Sequence, residues 1–426
     1  MRMSRRTMLA GSAAALSLPA VAALSGRGSR LRGTRLRGTA SLAAADAAAA
    51  TTATIPFTIQ NATGAGPVYA FVTGQAIDSG NALMLLRSDG QTPYFPASPA
   101  GPGSALGADC AIPLSAPGGA PVTITVPHLA GARLWLSAGA PLTFLLNPGP
   151  ALVEPSVTNP SDPNIGLAWD FCEFTFNQAQ LFANLSFVDF ASIPIALDLT
   201  DTAGGQQSAA GLAPGGLDAI CAGLTAQAAA DGHPWGDLIV TSGGRNLRAL
   251  SPTNGIVANP AFLSGYYDDY VSRAWARYSS APLTIDTQAS FGTVAGQVSN
   301  DLLIFPGVGS FARPSAADIF SCASGPFSPA GMSPEMLAIV PRLAAALNRS
   351  TLLTDPDQPD GENPASYYAD PVTNHYARIV HAAERDGRGY AFPYDDVTPS
   401  GGADQSGSVA SGSPAQLAVT VGPLHT

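Results

Sequence analysis

The chain is short of charge and has no lysine: only 12% of its 426 residues are charged, and all 20 basic residues are arginine. Eight of those (Arg2, Arg5, Arg6, Arg27, Arg30, Arg32, Arg35 and Arg37) precede the first acidic residue, Asp46, so the remainder sets 12 Arg against 30 Asp and Glu, a net of −18. A body this acidic repels phosphate backbones and anionic lipid, which argues against nucleic acid and membrane surfaces as partners and leaves a neutral one such as a polysaccharide. Long apolar runs are missing too. The uncharged stretch 9–24 is rich in Ala and Ser, too short and too weakly apolar to cross ~30 Å of hydrocarbon. Cysteine is scarce: Cys110, Cys172, Cys221 and Cys322 form no C-x-x-C pair, and the five histidines are scattered. No zinc or redox centre is visible, no cofactor is expected, and no internal repeat is present.

The N-terminus reads Ser4-Arg5-Arg6-Thr7-Met8-Leu9 ahead of that apolar stretch, the pattern of a twin-arginine export signal. Residues 1–45 are therefore expected to be a signal and a processed or linker segment, and the protein to be secreted. Ala20-Val21-Ala22 and Ala43-Ala44-Ala45 both offer small residues for cleavage. In an exported chain, four cysteines permit two disulfides, with three connectivities open.

Glycine (45) and proline (37) are abundant, which suits turns and short strands better than long helices. Single domains usually run to ~50–250 residues, so a chain of this length predicts two lobes. Over 52–199, alternating runs such as 57–59, 68–72, 122–126, 133–136 and 143–146 predict a β-sandwich or barrel. Over 200–387, helical patterns at 217–230, 262–278, 334–347 and 374–385 alternate with strand-like runs at 237–240 and 302–305, a mixed α/β texture. Ser333, Pro334 and Glu335 make a good helix start. A Gly- and Ser-rich loop is expected over 399–413. The last alternating run, 417–421, cannot be stable alone and is expected to complete the β-domain within 388–424.

The most informative stretch is Trp169-Asp170-Phe171-Cys172-Glu173-Phe174-Thr175-Phe176-Asn177, followed by Asn184-Leu185-Ser186-Phe187-Val188-Asp189-Phe190. As a strand, the first piece puts Glu173, Thr175 and Asn177 on one face and Cys172, Phe174 and Phe176 in the core. Asp189 follows Glu173 by sixteen residues, enough for a strand, a short connection and a neighbouring strand to bring both carboxylates to one surface. Glycosidases need such a pair, one carboxyl to protonate the leaving oxygen and one to activate water or attack the anomeric carbon. Flanking aromatics could desolvate Glu173 and keep it protonated, with Asp189 ionised as the base. Ser186 and Asp189 lie three apart and cannot share a face of a regular strand. Either a bulge sits near Phe187 and Val188, or only one of the two faces the cleft.

Glu173-Phe174-Thr175-Phe176-Asn177, the 184–190 stretch and Ile193-Pro194-Ile195 together resemble the core signature of glycoside hydrolase family 64. Residues 386–397 and 346–352 resemble further family signatures, and Phe57-Thr58-Ile59-Gln60-Asn61 and Ala132-Arg133-Leu134-Trp135 look like thaumatin-type strands, so the resemblance runs from about 55 to 421. It implies a β-rich α+β fold: a thaumatin-like β-barrel or sandwich domain and a mixed α/β domain flanking an open groove. It also implies an inverting endo-β-1,3-glucanase acting on laminarin-like glucan, releasing laminaripentaose, and working as a monomer without a cofactor. The family's acid falls on Glu173, its base on Asp189, and its groove residues on Thr175, Asn177, Phe182 and Ser186. Phe182 stands where Trp is usual and Ser186 where Thr is usual. Such folds also serve as binding modules, so a non-catalytic thaumatin-like glucan-binding protein is the alternative.

Other polar and aromatic groups read as structural. Asp395 and Asp396 follow Pro-Tyr and suit a turn, and Asp170 is out of phase with Glu173. Tyr266, Tyr267, Tyr270, Trp275 and Tyr278 have the spacing of a packed helix. His375 and His381, six apart, cannot share a metal on one helix. Cys172 faces the core, as a structural or disulfide-bonded residue.

Overall fold

In the first strand, Thr54–Asn61, Ile55, Phe57, Ile59 and Asn61 turn inward in strict alternation while their neighbours face out. It lies in a computed structural model that describes residues 51–425 apart from 65, 403 and 404. The export signal expected over 1–45 lies outside the described residues. Thr54–Asn61 pairs antiparallel with Val122–Pro127 and parallel with the C-terminal strand Pro414–Val421, in a register that sets Phe57 beside Leu417 and Ile59 beside Val419. The last run of the chain thus returns to the sheet of the first. Ile195–Asp201 and Gln206–Ala209 complete this five-stranded sheet.

The second sheet runs in the order Ser408–Ser411, Leu181–Leu185, Ala168–Phe176, Leu129–Ala138, Val68–Ala76, Ala82–Leu86 and Pro93–Tyr94. The two sheets meet through inward aromatics; the rings of Phe57 and Phe174 touch edge to face, 5.0 Å between centroids. Neither strand order returns on itself, so the barrel allowed for in the sequence reading is absent among the described residues: these are open sheets. Their ends are blunted locally. Proline at the Pro93–Tyr94 edge has no N–H to donate, and Gln206, Gln207 and Ser208 face solvent on the other sheet.

Helices Gly216–Asp231, Asp268–Ser280, Pro334–Asn348 and His375–Ala383 fall where the periodicity places them. The Ser333 hydroxyl accepts the Met336 N–H and caps its helix. The aromatic helix starts at Asp268 rather than 262, because Leu263 and Gly265 take left-handed backbone in the turn before it. Tyr270, Trp275 and Tyr278 on the helix are buried, as are Tyr266 and Tyr267 in the turn before it. The strand expected at 237–240 begins only at Ile239: Trp235–Leu238 is a 3-10 turn that buries Trp235 and Leu238 three residues apart. The loop expected over 399–413 contains the strand Ser408–Ser411, which buries Val409 and pairs with Leu181–Leu185 through the backbone.

The two disulfides allowed for are not formed. All four cysteines are buried free thiols enclosed in core, and burial pushes Cys172 and Cys221 up to about 12. Among the described residues no helix is long and apolar enough to cross a membrane.

Candidate active site

Strand register lines up one polar row across the second sheet. Thr73 pairs with Arg133, Arg133 with Glu173, Glu173 with Asn184 and Asn184 with Ser408, so five neighbouring strands each put a polar residue on the same face. Two residues away along three of those strands the same face is aromatic, with Phe71, Trp135 and Phe171 in register. These rings join Phe144, Trp169 and Phe190 in one cluster. Arg133 stands where the two zones meet. Its guanidinium lies 4.4 Å from the Phe171 ring centroid and 5.2 Å from that of Trp135. From there its Nε and Nη2 donate to Oε1 of Glu173 at 3.2 and 3.1 Å, and its Nη1 donates to Oε2 of Glu154 at 2.8 Å.

The polar stripe has the expected phase. Glu173, Thr175 and Asn177 are partly exposed while Cys172, Phe174 and Phe176 are buried. Thr175 sits at a break in register against the Arg133 strand, a bulge that re-aims it, and Phe182 pairs with it across the hairpin. Asn177 closes the hairpin: its Oδ1 accepts the Ala179 and Gln180 N–H groups at 2.8 and 3.0 Å, which leaves its NH2 end for other partners.

Asp189 is not on the strand at all. That strand ends at Leu185, Ser186 makes a single parallel bridge to Tyr390, and the chain bends away through Val188 and Asp189. The parity difficulty between Ser186 and Asp189 therefore disappears without a bulge at Phe187. Distant segments hold this loop by its backbone. Phe187 donates to Tyr390 O at 2.7 Å and accepts from the Tyr376 hydroxyl at 2.7 Å. Asp189 O accepts from Ser251 N at 3.0 Å and from Asn254 Nδ2 at 2.8 Å, both at the start of helix Pro252–Ala258. Phe190–Ala191 then pairs with Ala249 and Leu250.

Three carboxylates surround the one arginine. Desolvation, reinforced by Glu173 and opposed by Arg133, raises the Asp189 carboxyl above its ordinary value. Glu154 is raised in the same way, by desolvation first, with Glu173 and Asp189 adding to it against Arg133. Asp189 nevertheless keeps an open surface. Two aromatics near Glu173, Phe171 and Trp135, carry Arg133, and Arg133 forks onto Glu173. Sequence reasoning passed over Arg133 and Glu154. Arg133 left one trace, a charge at an alternating position of an otherwise apolar strand; Glu154, between Val153 and Pro155, left none.

The other acidic candidates are structural. Asp170 is buried, accepts the Phe171 and Ser192 N–H groups, and is pushed by desolvation up to about 8. Asp395 lies in a turn, as expected, and its Oδ2 accepts the Ala391 N–H at 3.0 Å; it is also fully buried, with Arg349 Nη2 and His381 Nε2 each 2.9 Å from its carboxylate. Burial alone would raise it, but His381 and Arg349 hold it below the usual range, and Asp395 in return lifts His381, against desolvation, to about 10. Among the described residues no group of three or more His, Cys, Asp or Glu could hold a metal ion.

Comparisons with known proteins converge on one family. The model described as Beta-1,3-glucanase, glycoside hydrolase family 64, matches residues 53–421. Glucan endo-1,3-beta-glucosidases from Cellulosimicrobium cellulans and Arthrobacter sp. (strain YCWD3) are each 32% identical to the chain, over 355 and 358 residues. Either match covers 81% of this chain and 62% of the relative, so the chain spans less than two thirds of their length. A solved laminaripentaose-producing β-1,3-glucanase in complex with laminaritetraose superposes at TM-score 0.78 with 34% identity, covering 88% of this chain and 99% of that one. A β-1,3-glucanase domain from Clostridium beijerinckii shares the fold at TM-score 0.68 and 21% identity, over 87% of this chain and 98% of that one.

Proposed function

The chain belongs to glycoside hydrolase family 64, and from that premise we propose that it is a secreted endo-β-1,3-glucanase that cleaves laminarin-like glucan with inversion and releases laminaripentaose. The observation that carries the reading is the grouping of Glu173 and Asp189 in one charge cluster around Arg133, with Glu173 partly exposed and Asp189 exposed. Glu173 serves as general acid and Asp189 as general base. Inversion requires room for one water between the carboxyls, a separation of ~6.5–9.5 Å.

Around the pair, Phe182 offers a ring to a sugar face beside Thr175, while Asn177 stands at the hairpin turn after strand Ala168–Phe176 and Ser186 just past the far end of strand Leu181–Leu185. The substrate lies in a groove between a thaumatin-like β part, 52–199 completed by 388–424, and the mixed part, 200–387. Export by the twin-arginine route and a monomeric state belong to the same reading. Its support is the laminaritetraose held by a relative of 34% identity, together with the acidic body that suits a neutral polymer.

Laminarin incubated with the protein is expected to gain reducing ends, with a pentasaccharide dominant. Retention on immobilised laminarin without new reducing ends would favour the non-catalytic binding protein instead.

A further inference from the structure

Glu154 lies 19 residues before Glu173 and just past the strand Ala151–Val153, outside the sheet that carries the acid, yet it shares that acid's arginine. We propose that Arg133 and Glu154 form a positioning couple for Glu173: Arg133 fixes Oε1 so that Oε2 is left to carry and deliver the proton, and Glu154 offsets the arginine's charge so that the proton can be held. This deepens the hydrolase reading and rests on Glu173 as the proton donor.

The geometry supports each half. Nε and Nη2 of Arg133 both converge on Oε1, and no hydrogen bond among the described residues reaches Oε2 of Glu173. A protonated carboxyl has this division of labour, a carbonyl oxygen that accepts and a hydroxyl that donates. The guanidinium is preset for the task because it lies over the Phe171 and Trp135 rings; an ammonium group has no fork.

An arginine facing Glu173 alone would favour the ionised form and work against a proton donor. The third nitrogen, Nη1, is instead engaged by Glu154 at 2.8 Å, shorter than either contact to Glu173. The charged groups facing this corner are Arg133 from its strand, Glu173 from the next, Glu154 from beyond Ala151–Val153, and Asp189 from the clamped loop. Removing Glu154 leaves a full positive charge to act on both catalytic carboxyls.

The chain has five glutamates, Glu154, Glu173, Glu335, Glu362 and Glu384, so a protein labelled with 13C at the glutamate carboxyl gives few resonances, and E173Q assigns the one that matters. In E154Q the Glu173 midpoint is expected to fall by about one pH unit. The alkaline limb of the kcat profile on laminarin, which reports deprotonation of the acid, is expected to move down with it. E154A must shift both in the same direction. R133K keeps the charge but loses the fork, so kcat is expected to drop about tenfold or more while KM and the Glu173 midpoint change little. An ion pair that merely pins residues 151–154 would leave midpoint and limb in place, and that result overturns the couple. The titration needs no substrate: a protein that fails to turn over laminarin sinks the hydrolase reading, while the midpoint still decides the couple.

Discussion

Glu173 and Asp189 are held in opposite ways. Glu173 sits mid-sheet, its backbone fixed by neighbours on both sides and its carboxylate gripped by Arg133. Asp189 sits on a bend, its backbone fixed by Ser251 and Asn254, and no hydrogen bond among the described residues reaches its carboxylate. The contrast fits the two tasks. A proton donor works from one defined oxygen, so its side chain must be oriented; a base that activates water needs a free carboxylate in a fixed place. The sheet orients one group through its side chain, and the helical segments place the other through its main chain.

The strongest test of the contrast removes each charge in turn. E173Q and D189N are each expected to lose about 10²–10⁴-fold in kcat, the usual range for one general acid or base. D189N should leave Tm unchanged, because its carboxylate makes no hydrogen bond, whereas E173Q also weakens a contact to Arg133. Either variant turning over laminarin at near the wild-type rate while folded would break the assignment.

Next come the clamps. Y376F deprives Phe187 O of its buried donor, which is expected to cost about 1–3 kcal/mol in stability. N254A removes an exposed contact to Asp189 O; kcat is expected to fall about tenfold through displacement of the base, with little change in Tm. If N254A lowers Tm but not kcat, the loop is not positioned from the helical side.

A smaller effect distinguishes the two carboxyls by pH. With Asp189 raised by desolvation, the acidic limb of kcat/KM, where the base becomes protonated, should lie above the ordinary aspartate value of ~3.9. A limb at or below that value would contradict the crowded placement. Smallest is F182A, expected to raise KM several-fold with kcat nearly unchanged, from loss of a stacking surface worth about 1 kcal/mol.

The Glu173 side of this comparison was legible in the sequence, and the Asp189 side only partly. Alternation over Glu173, Thr175 and Asn177 is local, so period-two reading finds the stripe and its core-facing partners. Asp189 could be named from its spacing, but its geometry could not, because the strand ends where Tyr390 and Tyr376 take over, some two hundred residues later. Arg133 and Glu154 join Glu173 by strand pairing and side-chain reach, neither of which periodicity records. Asp395 was legible as a turn residue, but its partners Arg349 and His381 were not, because they arrive from other elements. Four cysteines in a chain read as exported suggested bridges, but even number says nothing about proximity. The strand Ser408–Ser411 hid behind loop-like Ser and Gly because its backbone, with Val409 as its buried anchor, makes the pairing.

The central claim, that Glu173 and Asp189 act across a glucan by single displacement, is tested most directly by proton NMR of laminarin during the first minutes of hydrolysis. Inversion at a β-linkage yields the α-anomer first, followed by mutarotation towards equilibrium. Initial appearance of the β-anomer would contradict the account.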